Sequence, residues 1–222
     1  MTTRTIFLTG GTGYMGSRLI PLLAARGHRI RALARNGSQQ KLTRDCVPVL
    51  GNALERASFE AQIAPADTFV QLIGVAHPSP SKGDQFRAVD LVSIRASVPA
   101  AVAAGIRHFV YVSVAQPAPM MKDYIAVRRE GEELLRASGL NATVLRPWYV
   151  LGPGHRWPYL LKPAYWLFER WPSTRESARR LGLVTLCQML AALVQVIETP
   201  ANGVRVIEVP EIRRMGSIPG GV

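Results

Sequence analysis

The stretch Thr9-Gly10-Gly11-Thr12-Gly13-Tyr14-Met15-Gly16 decides the fold. It follows a short apolar run, Thr5–Leu8, and leads into a helical pattern that runs to Arg26. Gly11, Gly13 and Gly16 fit the spacing GxGxxG, and Gly10, Gly13 and Gly16 fit TGxxGxxG. Glycines at these places serve a tight turn, a close backbone approach to a pyrophosphate, and close packing of helix on strand. The helix start adds free N–H groups and a partial positive charge. A glycine turn can also be purely structural. Its position between a first strand and a first helix argues instead for a dinucleotide site, with Gly10, Thr12, Gly13, Tyr14, Met15 and Gly16 as contacts.

The pattern continues in alternation. Strands are expected at Arg29–Ala34, Val47–Leu50, Asp67–Leu72, His108–Ser113 and Asn141–Arg146. Helices are expected over Ser58–Ile63, Asp84–Ala104 and Tyr124–Ser138, with Asp123 as a candidate cap of the last. Gly27, Gly105 and Gly139 each follow a helical run, as C-terminal glycines do. This βαβα order predicts an α/β, Rossmann-type doubly wound parallel sheet. Residues 1–146 form the dinucleotide-binding core in this reading. Residues 147–214 complete the same domain as a small C-terminal cap, with a helix over Ser177–Glu198 and a strand over Val204–Val209. Residues 215–222 read as a disordered tail.

The end of the second strand speaks to the kind of dinucleotide. A site for NAD places an acidic residue about 20 positions beyond the glycine loop, on the ribose 2′-hydroxyl. Here the region reads Ala32-Leu33-Ala34-Arg35-Asn36, and no Asp or Glu occurs before Asp45. Arg35 stands where a 2′-phosphate arrives, with Lys41 and Arg44 behind it. One charge-assisted bond is worth about 1.5–3 kcal/mol, roughly a tenfold to hundredfold preference. NADP(H) is therefore expected over NAD(H). The plainer alternative is that Arg35 is a solvated surface charge.

The totals narrow the class. The chain has 222 residues, 48% hydrophobic and 19% charged, as in ordinary globular proteins. The net charge of +12 favours anionic partners, whether a phosphorylated cofactor, an anionic membrane surface or nucleic acid. Nucleic acid is not expected, because the arginines are scattered and no recognised DNA- or RNA-binding motif occurs. Cys46 and Cys187 form no CxxC pair and lie near no histidine cluster, so no metal site is expected and the setting reads as reducing and cytoplasmic. No signal peptide is seen, and the apolar stretch Leu183–Ile197 is too short to span a bilayer.

Taken together, the glycine loop, ALARN at 32–36, FVYVSV at 109–114, Tyr124-x-x-x-Arg128 and SGLNATVLRPWYVLGPG at 138–154 resemble the atypical and extended short-chain dehydrogenase/reductases. The NAD(P)H-binding, NmrA-like proteins and the nucleotide-sugar epimerase relatives are the groups most similar. The resemblance covers about residues 4–154. It implies further cofactor contacts: Asn52 and Ala53 beside the adenine, Leu72, Ile73 and Gly74 along a ribose, and Pro147 to Val150 flanking the nicotinamide. It also implies a catalytic set of a tyrosine as general acid/base, a lysine four residues later and a serine that orients a carbonyl. Tyr124 takes the first place. Position 128 is Arg128, on the same helix face, which keeps the charge but cannot release a proton. Ser113 is the candidate serine, although it falls one place before the usual one, which is Val114 here. Packing roles are the alternatives for Tyr124 and Ser113.

All four tryptophans lie within residues 148–171, beside Tyr149, His155, Tyr159 and Tyr165 and the basic Arg156, Lys162 and Arg170. This segment reads as a cap over the sheet, an apolar substrate pocket, or a surface for a membrane or protein partner. Three functions remain open. One is an NADP(H)-dependent oxidoreductase, or an epimerase-like enzyme, acting on a small carbonyl-type molecule. Another is a non-catalytic NAD(P)H-binding sensor or accessory subunit. The third is a form of either that sits peripherally on membranes. The sequence leaves the oligomeric state open.

Overall fold

The computed structural model describes residues 2–153 and 181–216. Seven strands form one parallel sheet: β1 (Thr5–Thr9), β2 (Arg29–Ala34), β3 (Val47–Leu50), β4 (Thr68–Gln71), β5 (His108–Val112), β6 (Ala142–Arg146) and β9 (Val204–Glu208), in the order β3-β2-β1-β4-β5-β6-β9. All six pairings are parallel. The chain starts in the middle, winds out to β3, then returns past β1 to build the other half. This is the expected doubly wound architecture. It leaves a switch point between β1 and β4, where ligands bind at the carboxyl ends of the strands.

Strand alternation divides the core in two. Ile6, Leu8, Val70 and Val110 face one layer and pack on α1 (Gly16–Ala25), α5 (Leu186–Glu198) and α6 (Val209–Met215). Helix α1 buries Gly16, Leu19, Ile20 and Leu23, a helical stripe. The opposite layer holds a ladder of phenylalanines. Phe7 pairs in register with Phe69, and Phe69 with Phe109. Their ring centroids are 5.3 Å and 4.9 Å apart, and Phe59 extends the row at 6.1 Å from Phe7. These rings pack on α3 (Val92–Ala103) and α4 (Lys122–Ala137). The central strands β4 and β5 are buried on both faces, which is why they read as continuous apolar runs.

The structure revises several boundaries. The helix expected from Asp84 is a short α2 (Gly83–Gln85), a π-helical turn (Phe86–Leu91) and α3 in succession. The helix expected over Ser58–Ile63 is two 3₁₀ turns, Arg56–Ser58 and Glu60–Gln62. Asp123 does not cap α4. It lies inside the first turn and pairs with Arg87, while the cap position is Met121 in the left-handed region at φ 61°.

Of the helix expected over Ser177–Glu198, residues 177–180 lie outside the described residues, and among the described ones it begins at Leu186. Before it, β8 (Leu183–Thr185) pairs with β7 (Tyr149–Leu151) in a separate two-stranded sheet. Thr185 and Gln188 form a reciprocal capping box, which fixes that start. Val209 opens α6 rather than ending a strand, so Met215 is helical rather than the start of a tail. Most of the aromatic segment, residues 154–171, and the last six residues lie outside the described residues. Among the described residues no helix is long and apolar enough to cross a membrane.

Candidate active site

The glycine loop crosses the top of β1. Gly10 has φ +78°, and a Cβ there would lie 2.9 Å from the carbonyl carbon of Leu72. A Cβ on Gly16 would lie 2.3 Å from the Gly10 oxygen, and one on Gly13 would lie 3.1 Å from it. The Gly13 N–H donates to the Gly10 carbonyl at 3.0 Å, which closes the turn. Helix α1 then begins with no side-chain cap and no acidic residue in its first turn. The Ser17 and Arg18 N–H groups already donate to the Gly13 and Met15 carbonyls, so what the helix start offers an anion is its partial positive charge. Glycines that could carry no side chain, followed by an uncapped helix start, fit a dinucleotide diphosphate.

Beside the loop opens a cavity of about 550 Å³. Its walls are Gly10, Gly13–Gly16, residues 72–78 beyond β4, residues 112–114 at the end of β5, Met121, Tyr124 and Arg128 of α4, and residues 147–150 beyond β6. The fold therefore brings together most of the residues singled out from the sequence: the loop, Leu72, Ile73, Gly74, Ser113, Tyr124, Arg128, Pro147 and Val150. Thr12, Arg35, Asn52 and Ala53 do not line this cavity. Arg35 follows β2 directly and is exposed, as are Lys41 and Arg44. Asn52 is spent on its own loop. Its side chain accepts from Leu54 N–H at 3.1 Å and donates to Glu55 at 2.9 Å.

The candidate catalytic side chains have specific partners. Arg128 is buried. Its guanidinium donates to Asp90, to the Ile73 carbonyl at 3.3 Å, to the Val112 carbonyl at 2.9 Å and to the Tyr111 hydroxyl at 3.4 Å. Burial opposes its charge, but Tyr124, Tyr111 and Asp90 outweigh that and hold its pKa above the ordinary value, so it stays a cation. Burial pushes the Asp90 carboxyl up, against the pull of Arg128 and the Val75 N–H. Burial likewise raises the Tyr111 phenol. The Tyr124 ring lies 4.8 Å from Phe86 and 5.1 Å from the Arg128 guanidinium carbon.

Ser113 is held differently. Its hydroxyl donates to Glu132 at 2.7 Å. Glu132 is fully buried and also receives Gln116, Arg136 and Arg146. Burial would raise the Glu132 pKa, but these donors, Arg146 foremost, bring it below the usual carboxylate value. The sequence reading missed Asp90, Glu132 and Phe86. The helical spacing of Arg128, Glu132 and Arg136 is the one signal that pointed toward a charged face on α4.

A doubly wound parallel sheet with a glycine loop at its switch point defines a dinucleotide-binding Rossmann protein. The NAD(P)H-binding family model matches residues 10–156, and the chain belongs to that family. It is 29% identical over 215 residues to ceramide reductase of Caulobacter vibrioides, across 95% of this chain and 66% of that protein. It is 32% identical over 153 residues to an uncharacterized sugar epimerase of Bacillus subtilis, across 64% of this chain and 70% of that protein. The chain thus spans about two thirds of the length of each. Among solved structures, the Bordetella bronchiseptica enzyme WbmH in complex with NAD⁺ shares the fold, with a TM-score of 0.69 and 19% identity over 96% of this chain and 80% of that one.

Proposed function

We propose that the protein is an NADP(H)-dependent oxidoreductase that reduces a carbonyl group on a largely apolar molecule. The observation that carries this reading is the single cavity shared by the glycine loop and Tyr124. The bound nicotinamide supplies a hydride. Tyr124 donates its phenolic proton to the carbonyl oxygen as the alcohol forms. Arg128 remains charged beneath the ring and relays no proton. Val75, Ala76, Pro78, Val114 and Trp148 give the remaining wall an apolar character that suits a hydrocarbon neighbour of the carbonyl. The similarity to a ceramide reductase supports the same substrate class.

The preference for NADP(H) rests on Arg35 and on the absence of a carboxylate before Asp45. Calorimetric titration with NADPH and NADH, on the protein and on Arg35→Ala, tests it. NADPH affinity should fall roughly tenfold to hundredfold in the variant while NADH affinity holds. Equal affinity for both cofactors in the unmodified protein sinks the Arg35 argument. Turnover of long-chain ketones with NADPH, lost in Tyr124→Phe, tests the reaction.

A second reading has its own support. Arg128 and Ser113 are both committed to buried carboxylates, Asp90 and Glu132. Tight NADPH binding without turnover on any ketone would favour a non-catalytic dinucleotide-binding subunit or sensor.

A further inference from the structure

Tyr124 stands in the first turn of a helix whose start has no side-chain cap and a left-handed residue, Met121, at the cap position. Its placement therefore has to come from neighbours. Two of them come from one place. The π-helical turn Phe86–Leu91 buries both Phe86 and Asp90. A π turn holds one residue more than an α turn, weakens the regular ladder, and recurs where a side chain has to be re-aimed at a functional site.

We propose that the π-helical turn Phe86–Leu91 is the positioning element of Tyr124, with Phe86 seating its ring directly and Asp90 acting through Arg128. This rests on the reading of Tyr124 as proton donor. Phe86 meets the Tyr124 ring at 4.8 Å with the planes tilted by 49°. On the other contact, the Arg128 guanidinium lies 5.1 Å from the ring centroid, within the range of a cation–π interaction. Asp90 fixes that guanidinium with one carboxylate oxygen and accepts the Val75 N–H at 3.0 Å with the other.

The remaining bonds of Arg128, to Ile73, Val112 and Tyr111, stop it from swinging away. Gly74 leaves the room that the pair needs, since a Cβ there would lie 2.4 Å from Arg128 Nη2 and 3.3 Å from Asp90 Oδ1. The π turn, the ends of β4 and β5, and α4 are thus joined at one guanidinium, directly beside the tyrosine.

A buried ion pair of purely structural value can be exchanged for neutral side chains at little loss. A positioning pair cannot. The test compares Phe86→Leu, Asp90→Asn and the neutral double variant Asp90→Asn/Arg128→Met with the unmodified protein, all loaded with NADPH. The double variant also unpairs the Ile73 and Val112 carbonyls, so its melting temperature should fall, but it should bind NADPH within roughly twofold and lose at least about tenfold in kcat on a ketone substrate with KM little changed. Phe86→Leu should show the same split.

A second readout needs no substrate. In protein labelled with fluorotyrosine, the fluorine NMR line assigned to Tyr124 by Tyr124→Phe should shift or broaden in Asp90→Asn and in Phe86→Leu. Full kcat in the double variant, or an unmoved Tyr124 line in both single variants, overturns the proposal. If the unmodified protein reduces no ketone, the oxidoreductase reading falls, and the NMR line alone decides whether the π turn positions Tyr124.

Discussion

Replacing Glu132 by glutamine should be among the most damaging single-atom changes available in this chain. The carboxylate is fully buried and accepts five bonds. Oε1 receives the Ser113 hydroxyl at 2.7 Å, Gln116 Nε2 at 2.9 Å and Arg146 Nε at 2.9 Å. Oε2 receives Arg136 Nη2 at 2.9 Å and Arg146 Nη2 at 2.5 Å. In Glu132→Gln the amide oxygen can keep one set, but the NH₂ group then faces guanidinium donors. The Arg136 side chain is 43% exposed and can turn to water, so its share is under about 1 kcal/mol. Arg146 is 17% exposed and is held in place by Glu208 as well. Breaking a buried pair of this kind costs about 3–5 kcal/mol, a large part of the 5–15 kcal/mol typical of a whole domain. Urea unfolding measures it as a lower midpoint at unchanged slope.

The pH dependence gives an independent arm. The folded pKa of Glu132 lies below its ordinary 4.5, so its stabilisation is present above that value and lost as pH falls through the folded pKa. The stability curves of the protein and the variant should converge in acid. A variant within about 0.5 kcal/mol of the parent at neutral pH would refute the reasoning.

Other changes have equally definite outcomes. Gly16→Ala puts a methyl 2.3 Å from the Gly10 oxygen and 2.8 Å from the Gly11 Cα, so the loop must open. NADPH binding should weaken at least about a hundredfold, with a loss of about 1–3 kcal/mol of stability. Burial holds His108 down to a pKa of about 4 from 6.5. A neutral native histidine makes stability rise with pH between those values, by about 3 kcal/mol in all, and His108→Gln should flatten that slope in pH-dependent unfolding. Arg128→Lys, which restores the usual family residue, should lower the melting temperature and fail to raise turnover. A gain in kcat would mean that position 128 serves the reaction as the lysine of the implied catalytic set does.

Much of the fold was legible because its signals are local. Each glycine of the loop answers a steric need of one strand–helix junction, and Gly27, Gly105 and Gly139 close their helical runs in the left-handed region at φ between 68° and 82°. The buried runs Thr68–Gln71 and His108–Val112 also declare themselves. The segment Leu183–Thr185 did not. Two apolar residues and a threonine ahead of an apolar helix look like more helix, and only the capping box at Thr185 and Gln188 separates the two. The π turn was likewise invisible, since periodicity alone does not distinguish one extra residue inside a helical pattern. Tyr124, Arg128 and Ser113 could be chosen from spacing. Their partners Asp90 and Glu132 could not, because pairing across 38 and 19 residues is a product of topology.

That pairing changes what position 128 means. Read from the sequence, Arg128 is a stand-in for the lysine of the catalytic set that the resemblance implies. In the structure its guanidinium bonds to Asp90, Ile73, Val112 and Tyr111, all protein groups. A lysine at that place has one nitrogen with three donors, whereas the guanidinium spreads its bonds over two Nη atoms in a fixed plane. An ammonium could not reproduce those contacts together, and Asp90, 1% exposed, would keep only part of its partner. A ribose in the same cavity would also meet the backbone at residues 72–74 and 147–150. On this argument the arginine is not a weakened lysine. It does a different job, and that job depends on Asp90 being an acid.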